Sequence, residues 1–261
     1  MTISVSETPN YTTRSVERAF DVLALIGSHP ASLRDVAVHL GLNRSTAYKT
    51  LAALEVRGYV RRDPDSAVYF LGAKILQLAT LYREQNPLIK VARPYLETLL
   101  RETRETVHLC VREGLSSACV DRIDSPQSIK LSVKLGETTP LHVTAAAKAI
   151  LAYSPGDIVA EVLKRPLQPF TSNTITDPDC LREELETIRR RGFAKSDGEL
   201  TPGARSVTAA IFDASNHAIG SVGVSGPSSR LPEEVILRYA TTVTEVAARI
   251  SGELHLKHPI G

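Results

Sequence analysis

The stretch NRSTAYKTLAALEVRGYVRRDPDSAVYFL, residues 43–71, carries the reading on which the fold turns. Asn43 is a good helix N-cap and Gly58 a good helix terminator, so the residues between them read as a helix. At about 100° per residue, Leu51 and Leu54 fall within roughly 40° of Ala47, and these three face a core. Ser45, Lys49 and Ala52 fall on the opposite side, with Thr46 and Tyr48 on the flanks. A face of hydroxyls, a phenol, a lysine and a small alanine can enter a DNA major groove. Bulky apolar side chains would be out of place there, and long acidic ones would be repelled by phosphate. Residues 59–62 and 68–71 are β-branched, aromatic and basic, and Asp63-Pro64-Asp65-Ser66 between them supplies turn chemistry, so the helix runs into a hairpin.

Working outward, Ser15 can cap a first helix running to about Ser28, with Val16, Ala19, Phe20 and Leu23 as its apolar stripe and Pro30 as its stop. Ser32-Leu33-Arg34-Asp35 has the spacing of a capping box, in which hydroxyl and carboxylate each satisfy a free amide. Leu33, Val36, Ala37 and Leu40 form a second stripe, and Gly41-Leu42 turns the chain into the third helix. Three short helices followed at once by a hairpin carrying Arg61 and Arg62 make a winged helix-turn-helix, with the wing arginines beside the backbone of the same duplex. Residues 34–62 hold six basic and two acidic side chains, a local +4 that exceeds the +2 of the whole chain. A phosphate-tracking surface needs such a local excess.

With 261 residues, 43% hydrophobic and 23% charged, the chain has the composition of an ordinary globular protein of one large domain or two smaller ones. That excludes collagen, a disordered tail protein and a disulfide scaffold. Cys110, Cys119 and Cys180 are odd in number and lack metal-ligand spacing, which points to a reducing compartment. No apolar run approaches a membrane span, and residues 1–13 lack the basic segment of a signal peptide, so a cytoplasmic protein is expected. Residues 1–11 are expected to be a flexible arm, 12–74 the first domain and 75–258 the second. The helix expected over residues 73–84 joins them; its exposed Ile75, Leu76, Leu78, Ala79 and Leu81 predict packing against another subunit.

In the second domain Leu88, Val91, Ala92, Tyr95, Leu96 and Leu99 form a helical stripe. Strands are expected over residues 107–112, 117–123, 129–134, 206–213 and 218–225. Helices are expected from Asp177-Pro178 to Gly192, and from Pro232 with Ile236, Tyr239, Val243, Val246, Ile250 and Leu254 on its inner face. Consecutive strands mixed with helices argue for α+β with an antiparallel sheet covered by helices. His108, Cys110, His142 and Asp197 contain the residue types of a nucleophile, a base and an orienter, but no hydrolase, zincin, phosphate-loop or dinucleotide motif accompanies them. His108 and Cys110, two apart in a strand, share a face, and Cys110 can lie opposite Cys119 across the hairpin. Neither an enzyme nor a metal or cofactor site is expected.

The chain resembles the IclR-type transcriptional regulators. The resemblance is carried by Arg14-Ser15-Val16-Glu17-Arg18-Ala19, Leu33-Arg34-Asp35-Val36-Ala37, Leu40-Gly41-Leu42, residues 45–51, Gly58-Tyr59-Val60 and Tyr69-Phe70-Leu71-Gly72. It continues with Pro140-Leu141-His142, Thr144, Lys148-Ala149, Gly198-Glu199, Gly203, Arg205-Ser206-Val207, residues 209–213, Ser225-Gly226-Pro227 and Arg230, in one order along the chain. It implies an N-terminal winged helix-turn-helix, a linker helix and a C-terminal GAF/PAS-like effector domain. The expected partners are double-stranded operator DNA, a small-molecule effector and further copies of the chain, as dimer or tetramer, with no membrane. Arg34 and Arg44 are expected on phosphates, Arg14 on backbone or minor groove, Ser45, Thr46, Tyr48 and Lys49 on base edges and adjacent backbone, and Arg61 and Arg62 on the wing. By the same resemblance the loop-helix junction of residues 135–148, the segment from Ser196 to Ser206 and the strand from Gly223 to Ser225 line the effector pocket. The candidates there are Leu131, Ala145, Ala146, Ser196, Ser206, Gly223 and Ser225, with Thr144 and Asp197 beside them. Relatives that bind small organic acids carry an acid, a cysteine and two serines in the positions occupied here by Ser196, Ser206, Gly223 and Ser225. The expected function is a repressor controlled by an organic or single-ring aromatic acid. The alternatives are a sensing or scaffolding protein without DNA binding, and a small-molecule enzyme.

Overall fold

The computed structural model describes residues 13–131 and 133–257. The expected arm over residues 1–11 lies outside them. The chain divides into two compact units after Gln85.

The first unit comprises α1 (Arg14–Ser28), β1 (Ala31–Ser32), α2 (Leu33–His39), α3 (Arg44–Val56), β2 (Val60–Arg62), β3 (Val68–Leu71) and α4 (Ala73–Gln85). The capping box at Ser32 forms: its hydroxyl accepts from the Asp35 amide, and Asp35 accepts from the Ser32 amide. The Ser32 hydroxyl also donates to the Asp35 carboxylate at 2.7 Å, and that bond, with the one from the Ser32 amide, holds the carboxyl below the usual carboxylate range. Asn43 caps α3 by accepting from the Thr46 amide. Ala47, Leu51 and Leu54 meet Val22, Ile26, Ala31, Val36, Val60 and Tyr69 in one core. β1 adds a short strand that the sequence did not announce, making a three-stranded antiparallel sheet of order β1-β3-β2.

Two expectations for α1 fail. The helix starts at Arg14, so Ser15 lies inside its first turn and Thr13 takes the N-cap position without a side-chain bond to the helix. Phe20 and Val16 are exposed, and the inward face is Ala19, Val22, Leu23 and Ile26. Both sets satisfy helical spacing; packing against α3 and β3 selects the second.

The second unit comprises α5 (Pro87–Thr103), β4 (Thr106–Glu113), β5 (Ser116–Ile123), β6 (Thr138–Pro140), α6 (Ala145–Ala152), α7 (Gly156–Lys164), α8 (Pro178–Arg191), β7 (Ala194–Asp197), β8 (Ala204–Phe212), β9 (Ala218–Pro227) and α9 (Glu233–Lys257). Its six strands form an antiparallel sheet of order β6-β5-β4-β9-β8-β7. Strand alternation gives the sheet two inner faces. Val107, Leu109, Val207, Ala209, Ile211, Val222 and Val224 pack under α5 and α9. Cys110, Cys119 and Ala210 lie on the other face, under α6 and α8. Asp177 caps α8, and Gly192 ends it at φ 80°, a left-handed conformation in which a Cβ would be strained.

The strand expected over residues 129–134 is absent among the described residues. Its carbonyls are taken by side chains instead: Thr106 donates to Leu131, Arg230 to Ile129 and Arg122 to Val133. A segment held by side-chain donors has no ladder to join. The short strands β6 and β7 were not anticipated, being too brief for periodicity to mark; α7 was also missed, although Ile158, Val159, Val162 and Leu163 recur at helical spacing.

The end of the hairpin is pinned to the end of α3. Gly72 donates to the Tyr59 carbonyl at 2.8 Å and Lys74 to the Gly58 carbonyl at 3.1 Å. A Cβ at Gly72 would overlap the Gly58 carbonyl oxygen, which is backbone and cannot rotate away. Gly72→Ala should therefore destabilise the first unit by about 1–3 kcal/mol. Amide exchange in peptides from α3 and the hairpin, measured by mass spectrometry on the full-length chain, should accelerate about tenfold or more, with the second unit unchanged.

Candidate functional site

The outward side of α3 presents Arg44, Ser45, Tyr48 and Lys49 to solvent, with Thr46 half-buried on its flank. Their orientation follows from the burial of Ala47 and Leu51 one turn apart, which leaves the opposite arc free. Arg34 on α2, Arg14 on α1, and Arg61 and Arg62 on β2 are also exposed. The Arg61 guanidinium lies 4.6 Å from the Phe70 ring centre, a stacking contact that orients it on the hairpin. The tight end of that hairpin is built by Asp63, which accepts from the Ser66 amide and hydroxyl and from the Asp65 amide. These bonds hold its carboxyl below the usual range. The first unit thus carries two adjoining cationic elements, a helix with an open polar face and a rigid hairpin.

A cavity of about 390 Å³ opens on the α6 side of the second unit's sheet. Leu131, Thr144, Ala146, Ser196, Ser206 and Ser225 line it. The size is that of a small-molecule site. Thr144 is also the N-cap of α6 and accepts from the Ala147 amide at 3.1 Å.

Three residues expected on the cavity lie elsewhere. Ala145 is fully buried against the core of that face. Asp197 pairs with Arg205 and opens onto an adjoining recess of about 210 Å³. Gly223 sits between His108 and Thr208 across the strands, where a Cβ would collide with the Thr208 hydroxyl.

The cavity also takes residues beyond the named candidates, some from the expected segments and some from β4 and β5. His108, Cys110, Ser117 and Cys119 form its wall on β4 and β5, and Glu137, Glu199, Thr201 and Arg205 border it. For His108 and Cys110 a signal existed: their spacing puts both on one strand face. Glu199 lies in the loop after β7 and Arg205 at the start of β8, where no periodicity points inward. His108 Nε2 is 2.8 Å from Ser225 Oγ, and burial drives its pKa down to about 4, so the ring is neutral near pH 7. Arg205 is committed to Asp197 and to the Leu231 carbonyl, which limits its use as an anion clamp.

Beneath the cavity Lys148, 1% exposed on α6, donates to both Glu199 carboxylate oxygens at 2.7 Å. Glu184 stands 3.8 Å from the same ammonium and is itself held by Arg191 at 2.9 Å. Burial pushes the Glu199 carboxyl up, and the Lys148 ammonium pulls it back down only in part. The loop bearing Glu199 is fastened by Thr171, which donates to the Gly198 carbonyl, and Thr174, which donates to that of Glu199, each at 2.7 Å.

Two family models match the chain: the IclR helix-turn-helix domain over residues 15–64 and the bacterial transcriptional regulator IclR C-terminal domain over residues 80–252. The glycerol operon regulatory protein of Streptomyces coelicolor is 33% identical over 245 residues, covering 92% of this chain and 96% of its own length. The HTH-type transcriptional repressor AllR of Escherichia coli K12 is 27% identical over 250 residues, covering 94% and 92%. The crystal structure of the Thermotoga maritima IclR superimposes with a TM-score of 0.78 at 33% identity, covering 92% of this chain and 98% of that one.

Removing one partner of the buried ion pair strands the other. Lys148→Met should cost about 3–5 kcal/mol, whereas Lys148→Met with Glu199→Leu should recover most of that loss. Thermal denaturation of the full-length variants, followed in the second unit by exchange mass spectrometry, reads the difference. A double variant as unstable as the single one would mean that packing, not charge, is at stake.

Proposed function

The chain belongs to the IclR family of transcriptional regulators, and from that premise we propose that it is a one-component repressor acting in the cytoplasm, whose hold on its operator is set by a small acid bound in the second unit. The observation that carries the DNA half is the open face of α3, Ser45, Tyr48 and Lys49, beside the hairpin arginines Arg61 and Arg62. In this reading α3 enters the major groove, where Ser45, Thr46, Tyr48 and Lys49 meet base edges and nearby backbone. Arg34, Arg44, Arg61 and Arg62 hold phosphates, and Arg14 reaches backbone or minor groove. The name of the AllR relative supports repression as the sign.

A single winged helix makes few phosphate contacts, so two are needed for a tight complex. α4 has no residue buried within the chain, and Leu76, Leu78, Leu81 and Tyr82 are exposed along it. That apolar surface supports self-association as dimer or tetramer.

The cavity's charged groups are internally matched: Lys148 holds Glu199, Asp197 holds Arg205, and Lys134 is 3.8 Å from Glu137. With His108 neutral and hydroxyls at Ser206 and Ser225, such a lining suits a small, singly charged carboxylate or a hydroxylated metabolite. A phosphorylated ligand would draw on several uncommitted cations. To act on DNA, the ligand must bind two states of the regulator unequally.

Operator DNA selected from genomic fragments separates the roles of Lys49 and Arg61. Arg61→Ala should weaken binding to all sequences about equally and lower the salt slope by roughly one unit. Lys49→Ala should instead flatten the preference for operator over random DNA. Unchanged operator affinity in both variants would sink the assigned surface.

For the effector, a thermal-shift screen of aliphatic and aromatic acids should find a stabilising ligand whose effect is lost in Ser225→Leu and Ala146→Trp. A ligand that keeps its full effect in both binds elsewhere.

A further inference from the structure

Cys110 and Cys119 face one another across β4 and β5, and both residues line the cavity. The register places Cys110 directly opposite Cys119, next to a bulge between Leu109 and Cys110. The Cys119 amide donates to the Glu137 carbonyl at 3.3 Å, and its carbonyl accepts from the Gly136 amide at 2.8 Å, so both point away from β4. On the other strand the Cys110 carbonyl faces Gly220 of β9. The two cysteines are therefore opposed with no backbone bond between them, the class of cross-strand pair whose side chains come closest. Directly opposed antiparallel residues have Cα separations of about 4.5–5.5 Å, inside the window of roughly 4.4–6.8 Å that a disulfide spans.

The chemistry around the pair is asymmetric. The Cys119 thiol is 3.5 Å from the Asp121 carbonyl, to which it donates. The neighbouring Cys110 thiol lowers the pKa of Cys119, with Arg122 adding to the effect, while Cys119 and burial push Cys110 up. His108 Nδ1 lies 3.8 Å from Cys110 Sγ, and the tautomer that donates Nε2–H to Ser225 leaves Nδ1 as an acceptor beside that thiol. Cys110 and Cys119 are otherwise buried, so the cavity is their route to reagents, and it admits small ones.

We infer that Cys110 and Cys119 form an oxidisable dithiol that takes small hydroperoxides entering the cavity and closes to a cross-strand disulfide, and that closure alters operator affinity. The second half rests on the effector role proposed above for this cavity. The Cys119 thiolate attacks the terminal peroxide oxygen; the O–O bond breaks, and the leaving alkoxide takes up the proton that Cys119 gave up and departs as the alcohol. Cys110 then attacks the resulting sulfenic acid at sulfur. The S–S bond forms, the S–O bond breaks, and hydroxide leaves as water with the proton shed by Cys110, for which His108 Nδ1 is the nearby acceptor. Two thiols and one hydroperoxide give one disulfide, one alcohol and one water. The small-thiol pool of a reducing compartment reverses the bond.

The test uses the full-length chain, reduced, then treated with cumene hydroperoxide, denatured, alkylated and digested. The expected product is a Cys110–Cys119 linked peptide that dithiothreitol releases, with Cys180 still alkylated. Thiols at 110 and 119 that remain alkylated, or that reach separate sulfinic acids, overturn the site. A redox-free check uses phenylarsine oxide, whose As–O bond is replaced by two As–S bonds with release of water. One arsenic per chain should be held against a monothiol and released by a dithiol, and Cys110→Ser or Cys119→Ser should abolish that retention. No retention by the parent chain overturns the pairing. Operator affinity of the oxidised and reduced protein should differ by roughly 5- to 150-fold, the range of ordinary allosteric coupling. A disulfide that forms without changing affinity overturns the regulatory half and leaves the site standing. Reduced protein that binds no operator at all instead counts against the DNA-binding reading, which the mass measurement does not use.

Discussion

The pleat of β4, β8 and β9 is the constraint on which the second unit depends. Successive side chains of a strand must point to opposite faces, so each of these strands divides its residues between two surroundings. On β9 Val222 and Val224 pack with α5 and α9, while Ser221, Gly223 and Ser225 turn to the other side. On β4 Val107 and Leu109 go one way, and His108 and Cys110 the other. One face can then be an all-apolar core, which holds the sheet. The second face is free to carry a cavity with hydroxyls, thiols and an imidazole. A shift of register by one residue would exchange the two and destroy both.

A polar cavity over a buried sheet needs its charges matched, and the α6 side is arranged for that. Lys148 sits in a helix whose every residue is buried, and it is tolerable there because Glu199 accepts both of its short hydrogen bonds. The same contact ties α6 to the loop that closes the cavity edge. The ion pair is thus a positional device more than a source of stability: it decides where the loop between β7 and β8 lies, and with it Thr201, Ala204 and Arg205.

In the first unit one helix serves two partners at once. α3 gives Ala47, Leu51 and Leu54 to the core and leaves Ser45, Tyr48 and Lys49 outside. Because the hairpin's exit is bonded to the carbonyls of Gly58 and Tyr59, the strand bearing Arg61 and Arg62 has a set position relative to α3 within this unit.

Much of this was legible in the residues alone. Capping at Ser32, Asn43 and Asp177, the stop at Gly192 and the inner face of α3 are local, set by hydrogen-bonding groups and spacing within one turn, and each stands where the sequence placed it. The family resemblance likewise rested on short motifs in order. What needed the tertiary structure was every choice between surfaces that satisfy the same local rule. Phe20 and Val16 fit the helical stripe as well as Val22 and Ile26, and only packing against α3 and β3 excludes them. Ile129, Leu131 and Val133 alternate as a strand would, yet Thr106, Arg122 and Arg230 claim carbonyls there. Ala145 and Asp197 stand beside cavity residues in sequence and still miss the cavity, since neighbours on a strand or helix turn point apart; Gly223 shares the face of Ser225 but has no side chain to reach the cavity. Local bonding chose the elements, because its partners lie a few residues away. Which faces met, and so which side chains surround the cavity, depended on contacts between residues far apart in the chain, and a linear pattern does not contain them.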